Sequence, residues 1–353
     1  MRRADDVAPV RWGVLGTAKI ALTKVIPAIQ KSESGKVVAI ASRDKDKARA
    51  AADRFDIPRA YGSYEELLDD PEIEAIYNPL PNHLHVPWSI RAAERGKHVL
   101  CEKPIALSAD EARDLLAVRD RTGVQIGEAF MVRTHPQWLK VKELIDEGRI
   151  GELRLVTGHF SYFLRNAANI RSRPEWGGGA LMDIGCYPIF ISRWLFDAEP
   201  LEVMSLIESD PDMHIDRLVS AILRFDAGQA TFGCGVQLVH YQTMQIFGTA
   251  GRISVEIPFN TPSDRESRIF VDDGRDVVGS GIETITFPPV DQYLLQADRF
   301  SEAVKGVGKV PVPLESAIGN MAVIDALFRS AETKEWEPLP LSSLKGRYKI
   351  DMQ

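Results

Sequence analysis

The chain has 353 residues, 44% of them hydrophobic and 26% charged, with 43 Lys and Arg against 50 Asp and Glu for a net charge of −7. At roughly 100–200 residues per domain, that length implies two domains and excludes a single small binding module. An acidic balance without blocks of Lys or Arg argues against a nucleic-acid partner, because phosphate contacts need clustered cations.

The opening run Met1–Asp6 is polar where a signal peptide turns apolar, and apolar runs fall short of the about 18 residues a membrane span needs. A soluble, cytoplasmic protein without a membrane partner is expected. From Val10 the pattern alternates short β-branched runs with helical stretches. Val10–Leu15 reads as a strand, Ile20–Lys31 as a helix, Val37–Ser42 as a strand and Lys45–Phe55 as a helix. Ser63 with Glu66, and Ser108 with Glu111, are capping-box starts. Between them lie the strand Ile73–Asn78, the helix Pro87–Arg95 closed by Gly96, and the strand His98–Cys101; the strand Val124–Ala129 follows. Strands alternating with helices imply parallel pairing in an α/β Rossmann-type, doubly wound sheet.

After Gly148 the rhythm changes to long alternating runs: Leu153–Phe163, Leu201–Glu208, Leu218–Phe225, Gln229–Gly235, Thr243–Phe247 and Arg252–Ile257. These predict a large, open, mainly antiparallel sheet. An apolar helix, Ala180–Phe196, interrupts them behind the triple glycine Gly177–Gly179, and helices Gln292–Val304 and Ser316–Thr333 follow. The expected division is a dinucleotide-binding domain over 1–127 and an α+β domain for substrate and oligomerisation over 128–353. Cys101, Cys186 and Cys234 are far apart and form no CxxC pair, so neither a disulfide framework nor a metal site is expected.

Gly16-Thr17-Ala18-Lys19-Ile20-Ala21 falls where the first strand turns into the first helix. As a dinucleotide fingerprint it has Gly16 at the first glycine position, Ala18 at the second and Ala21 at the third, and would aim backbone N–H groups at a pyrophosphate. Taken alone it is equally a plain strand-to-helix turn. At the end of the second strand, where an acid grips the ribose of NAD, stand Ser42 and Arg43. A guanidinium there suits the 2′-phosphate of NADP(H), with NAD(H) as the alternative. Asp44 reads as the N-cap of the next helix. Lys103 follows the strand His98–Cys101, at the carboxyl end where ligands of such sheets bind. Asp183 and Tyr187, four residues apart on an apolar helix, share one face; they are a reactive acid and phenol or a structural pair.

Together Gly16–Ala21, Glu102-Lys103-Pro104, Gly177–Tyr187 with its Asp183-x-x-x-Tyr187, and Gly248-Thr249-Ala250-Gly251 resemble the glucose-fructose oxidoreductase, inositol dehydrogenase and rhizopine-catabolism (Gfo/Idh/MocA) family of NAD(P)-dependent oxidoreductases. Gly16-Thr17-Ala18 and Glu128–Met131 resemble most its branch of NADP sugar 1-dehydrogenases and dihydrodiol dehydrogenases. The resemblance implies a Rossmann domain, a C-terminal sheet whose face makes a homodimer or homotetramer, and hydride transfer at a carbon of a sugar or related polyol. Lys103 matches the family's catalytic lysine and Asp183 its substrate-orienting acid. Tyr187 stands where many members have His and some have Tyr, so the proton carrier is Tyr187 or Lys103. Pro79, Asn82 and His85 match a loop along the cofactor; Glu102 and Arg133 match further cofactor contacts. Trp176 is a cover for the sugar face or a core aromatic. The expected reaction is NADP-dependent oxidation of an aldose at C1 to a lactone. The rivals are an NADPH-dependent ketosugar or dicarbonyl reductase and a catalytically silent NADP-binding regulator.

Overall fold

The computed structural model describes residues 8–339; the polar opening Met1–Asp6 lies outside that range. The described chain forms two compact units, one of residues 8–134 with 291–318 and one of 135–290 with 319–339.

The first unit carries a six-stranded sheet of β1 (Val10–Leu15), β2 (Gly35–Ala41), β3 (Arg59–Tyr61), β4 (Ala75–Asn78), β5 (His98–Cys101) and β6 (Ile126–Glu128). Its order, β3-β2-β1-β4-β5-β6, is that of a doubly wound dinucleotide fold, and every neighbouring pair is parallel. Burial on both faces explains the near-continuous apolar runs: Val10, Trp12, Val14 and Leu15 of β1 are fully buried. The connecting helices are α1 (Ile26–Ile29), α2 (Lys45–Arg54), α3 (Tyr64–Leu68), α4 (His85–Glu94) and α5 (Ala109–Thr122). Their starts follow local chemistry. Ser63 Oγ accepts from the Glu66 N–H at 3.2 Å and Ser108 Oγ from the Glu111 N–H at 3.1 Å. The returning glutamates bond one residue earlier than a strict capping box, at the N–H of Gly62 and of Leu107.

In the second unit α6 (Pro136–Asp146) leads into β7 (Leu153–Phe163), followed by α7 (Cys186–Phe196), β8 (Glu202–Ser209), β9 (Asp216–Arg224), β10 (Gln229–Gly235), β11 (Gln237–Gly248), β12 (Arg252–Val255), β13 (Ser267–Asp272) and β14 (Ile282–Phe287). After α8 (Gln292–Val304) and α9 (Leu314–Thr333), β15 (Glu337–Pro338) completes a nine-stranded sheet of order β14-β13-β12-β11-β7-β10-β9-β8-β15. Within this sheet only β7 and β10 pair in parallel among the described strands, so it is mainly antiparallel as expected. Inward residues such as Val219, Ala221 and Leu223 alternate with exposed ones along β9.

The units divide differently from the 127/128 boundary. Residues 291–318 belong with the first unit, because α8 presents Ala297, Phe300 and Ser301 to β1. The Phe300 ring packs on Trp12 with centroids 5.5 Å apart, and the Trp12 indole N–H donates to Ser301 Oγ at 3.2 Å. Two helices start with a π-helical turn the sequence pattern does not announce, Ala21–Val25 before α1 and Leu181–Gly185 before α7. No helix among the described residues is long and apolar enough to cross a membrane.

Candidate active site

At the end of β1 the Gly16 N–H donates to the Ala41 carbonyl at 2.7 Å, and Gly16 turns with φ +83°, a region that favours glycine. A Cβ there would lie 3.1 Å from Leu80 Cδ2 and 3.6 Å from the Tyr64 hydroxyl. The chain then enters its helix, with the Leu22 N–H donating to Ala18 O at 3.1 Å. The N–H groups of Lys19 and Ile20 have no intrahelical acceptor, the arrangement that receives a phosphate. A bare glycine in a tight turn and free-facing amides at a helix start fit a dinucleotide pyrophosphate.

At the end of β2, Ser42 is buried and accepts from the Asp44 N–H at 3.2 Å. Asp44 is committed to α2. Its Oδ1 accepts from the N–H groups of Asp46 at 3.1 Å and Lys47 at 3.2 Å, and these bonds with the Lys47 ammonium hold its carboxyl below the usual range. Arg43 is exposed, and its positive charge opposes the rise that burial gives the Tyr64 phenol.

The loops after β4 and β5 brace one another. Asn78 is fully buried; its side-chain amide donates to His85 O at 3.0 Å and Ser89 Oγ at 3.2 Å. His85 is enclosed by backbone: its Nδ1 lies 2.7 Å from Pro104 O and its Nε2 2.7 Å from Leu80 O. Burial lowers its pKa to about 4, so the neutral ring has a single N–H to donate to one of the two carbonyls, and it lies between the two loops. Pro79 and Asn82 lie in the loop it holds. Beside it, the Glu102 carboxylate accepts from Tyr77 OH at 2.6 Å and from the Lys103 N–H at 3.4 Å, while the Glu102 N–H donates to Asn78 O at 3.0 Å. Glu128 accepts from the Ile105 N–H at 2.8 Å. The backbone on either side of Lys103 is thus fixed. Tyr293 of α8 feels both charges: burial and Glu102 raise its pKa, and Lys103 opposes them. Arg133 is half-buried in the turn Met131–Thr134. Gly16–Ile20, Ser42, Arg43, Pro79, Asn82, Glu102 and Lys103 therefore all follow carboxyl ends of β1, β2, β4 or β5.

The second unit carries Asp183 and Tyr187. Their segment is anchored by Asp216, the first residue of β9, whose Oδ2 accepts from the Leu181 N–H at 2.6 Å. Gly179 turns with φ +115°, and a Cβ there would lie 1.7 Å from Asp216 Oδ1; the carboxylate fills the space a side chain would need. Burial, with Asp183 nearby, raises Asp216 to a pKa of about 7. Asp183 is buried; its Oδ1 pairs with Arg171 Nε at 3.0 Å and its Oδ2 accepts from the Tyr162 hydroxyl. The Tyr187 ring packs against both Phe160 and Phe259, at centroid distances of 5.8 and 5.2 Å, and those two rings stack on each other at 4.9 Å. The π-helical turn Leu181–Gly185 contains Asp183 and ends two residues before Tyr187, a local widening often found at functional positions. Trp176 is half-buried, with the Arg173 guanidinium 4.9 Å from its ring centroid. Tyr64, Tyr162, Arg171, Asp216 and Tyr293 were not legible as site residues. Only Arg171 carried a signal, as one of the arginines crowded before the triple glycine.

A 3-2-1-4-5-6 parallel sheet with a glycine turn after its first strand, joined to a unit that presents a buried acid and phenol, defines a dinucleotide-binding oxidoreductase. Residues 10–130 match the oxidoreductase family with NAD-binding Rossmann fold of the Gfo/Idh/MocA group, and residues 138–254 match its C-terminal domain. The chain belongs to the Gfo/Idh/MocA family. It is 50% identical over 93% of its length to an uncharacterized oxidoreductase of Rhizobium meliloti, covering 98% of that protein. It is 40% identical to a D-xylose 1-dehydrogenase (NADP(+)) of Haloferax volcanii, over 91% of this chain and 97% of that one. A crystal structure of a 3-ketoreductase from Actinomadura kijaniata with NADP and TDP-benzene is similar at a TM-score of 0.85 and 30% identity, covering 91% of this chain and 98% of that one.

Proposed function

We propose that the protein is an NADP-dependent sugar oxidoreductase that oxidises C1 of an aldose to a lactone. The observation that carries this reading is the ribose end of the Rossmann unit. Asp44 is consumed as a helix cap, leaving Ser42 and an exposed Arg43 where NAD enzymes keep a carboxylate. The 40% identity to a D-xylose 1-dehydrogenase named for NADP(+) supports the same cofactor and carbon.

When bound, the nicotinamide supplies the hydride acceptor. Lys103 would set its ammonium against the reacting oxygen and stabilise the negative charge that grows there as the proton leaves. Tyr187 would take that proton. A phenol of ordinary pKa near 10 is a weak base at neutral pH, so the role needs a cation to stabilise the phenolate. Asp183, paired with Arg171, would accept a hydrogen bond from a neighbouring sugar hydroxyl. In the reverse direction the same residues return the proton to a carbonyl oxygen. That direction is the second reading, a ketosugar reductase, favoured by the likeness to the 3-ketoreductase. We also infer a homodimer or homotetramer through the open sheet face, where Leu206, Ile222 and Tyr241 are exposed.

The test is a spectrophotometric comparison of wild type, Lys103→Met and Tyr187→Phe with aldoses and NADP+. Loss of turnover by about 100-fold or more in both variants is expected. Unchanged turnover in Tyr187→Phe would return the proton to Lys103, and unchanged turnover in Lys103→Met would remove the site assignment altogether.

A further inference from the structure

Along β9, Val219, Ala221 and Leu223 are buried while Ser220 and Ile222 are exposed. Continued toward the start of the strand, that alternation would bury Arg217 and expose Asp216. The reverse is found, because β9 carries a bulge. Glu208 of β8 pairs with Leu218 and Ser209 with Asp216, so Arg217 is an extra residue in the ladder. Arg217 turns out to Glu208, its Nε donating to Oε1 at 2.9 Å, and its carbonyl accepts from the Val236 N–H at 3.0 Å. Asp216, only 6% exposed, is thereby aimed at the segment that carries Asp183. That segment lies directly on the sheet at two points. At its start the Leu181 N–H donates to Asp216 Oδ2 at 2.6 Å; at its end a Cβ on Gly185 would come within 3.0 Å of Cys234 Sγ on β10. Asp183 sits midway between them.

We infer that Asp216 is a positioning residue for the acid of the substrate site: turned inward by the bulge at Arg217, its carboxyl sets where Asp183 stands against the sugar hydroxyl. The Leu181 N–H belongs to the first turn of its helix, where backbone donors have no intrahelical acceptor. Ala180, at the N-cap position, has no side-chain group to supply one. The acceptor comes from another strand, 35 residues along the chain. A local cap ties a helix start only to its own chain; this one ties it to the sheet. Arg171 Nε at 3.0 Å and the Tyr162 hydroxyl orient the Asp183 carboxylate, and Asp216 fixes the backbone beneath it. The other end of the turn is tied by Asn320, whose Nδ2 donates to Cys186 O at 3.2 Å. This inference rests on the reading of Asp183 as the ligand of the sugar hydroxyl.

The experiment compares full-length wild type, Asp216→Ala, Asp216→Asn, Asp183→Asn and the Asp183→Asn, Asp216→Ala double variant at one pH. Kinetics use saturating NADP+ and the aldose that wild type oxidises fastest. Asp216→Ala should raise KM for the aldose about tenfold, the effect of one hydrogen bond to a charged group, and lower kcat by less. Asp216→Asn keeps an oxygen for the Leu181 N–H and should recover most of that loss. Asp183→Asn should itself raise KM, and the double variant should lie within about twofold of it, because one residue acts through the other. Amide hydrogen exchange without substrate should quicken about tenfold over residues 180–187 of Asp216→Ala and keep its wild-type rate in the six-stranded sheet. If Asp216→Ala does not fold, Gly179→Ala, which displaces the same carboxylate, is judged by the same readouts. A fall in kcat at unchanged KM is what a smaller folded fraction gives, and it would overturn the inference. Additive effects on KM, or unaltered exchange over 180–187, would do the same. Asp183→Asn with a wild-type KM, or a wild type that oxidises no aldose, would remove the reading of Asp183 and the role of Asp216 with it.

Discussion

Replacing Gly179 with alanine sets a methyl carbon where Asp216 Oδ1 now lies, 1.7 Å from the carboxylate oxygen, on backbone at φ +115°. Two costs follow. An L-residue at left-handed φ loses about 1–2 kcal/mol relative to glycine. Displacing the carboxylate removes the 2.6 Å bond from the Leu181 N–H, a charge-assisted contact of about 1.5–3 kcal/mol. The sum, about 2.5–5 kcal/mol, corresponds to a fall of about 5–20 °C in the thermal midpoint of a unit this size. Near-ultraviolet circular dichroism on heating reads it through the aromatic residues of α7. A midpoint within about 2 °C of wild type would refute the claim that Asp216 needs the space glycine leaves. Combining Gly179→Ala with Asp216→Ala gives a second check, because the two changes break one contact and should be strongly non-additive. The same carboxyl carries a pH signature. Its folded pKa of about 7 lies above the unfolded value near 3.9, so the folded state binds the extra proton. The stability it contributes is full below pH 4 and is lost as pH rises through 7. Asp216→Asn should therefore gain on wild type across that window; a constant difference between the two would show that Asp216 does not titrate there.

Other outcomes follow from single contacts. Asp44→Ala should lower the thermal midpoint slightly by uncapping α2 and leave the ratio of NADPH to NADH affinity unchanged; a shift of that ratio would make Asp44 a ribose ligand. Phe300→Ala should destabilise the first unit by about 3–5 kcal/mol in urea denaturation, since the ring is fully buried against Trp12. An effect below about 1 kcal/mol would contradict the assignment of α8 to that core. Arg171→Ala should raise KM for the sugar more than it lowers kcat with NADP+ saturating, because it frees Asp183 from its ion pair; an equal loss confined to kcat would place Arg171 in the chemical step.

What the sequence revealed was what is local or strongly periodic. The caps at Asp44, Ser63 and Ser108 were readable because donor and acceptor lie within four residues of each other. The long buried strands were readable from their apolar runs. Strand β3 has only three residues, and β14 is exposed along most of its length with Glu283 and Thr284 in it, so neither carries an alternating pattern strong enough to announce itself. The π-helical turns break the 3.6-residue period, and the pattern before α1 and α7 passes for a plain helix. Lys103, Asp183 and Tyr187 stood out by residue type and by family resemblance. Their supports did not, because they come from far along the chain. Asp183 is held by Tyr162 and Arg171, its helix by Asp216, and the Lys103 strand end by Tyr77 and Glu128. The division of units was hidden for the same reason, since α8 reaches β1 across almost 290 residues.

The most direct test of the central claim is an absorbance screen of aldoses, D-xylose first, with NADP+ and then with NAD+. The account predicts NADPH formation with at least one aldose, a lactone as the product, and a clear preference for NADP+ that disappears in Arg43→Gln. Oxidation with NAD+ preferred, or turnover confined to NADPH-dependent reduction of ketosugars, would contradict it.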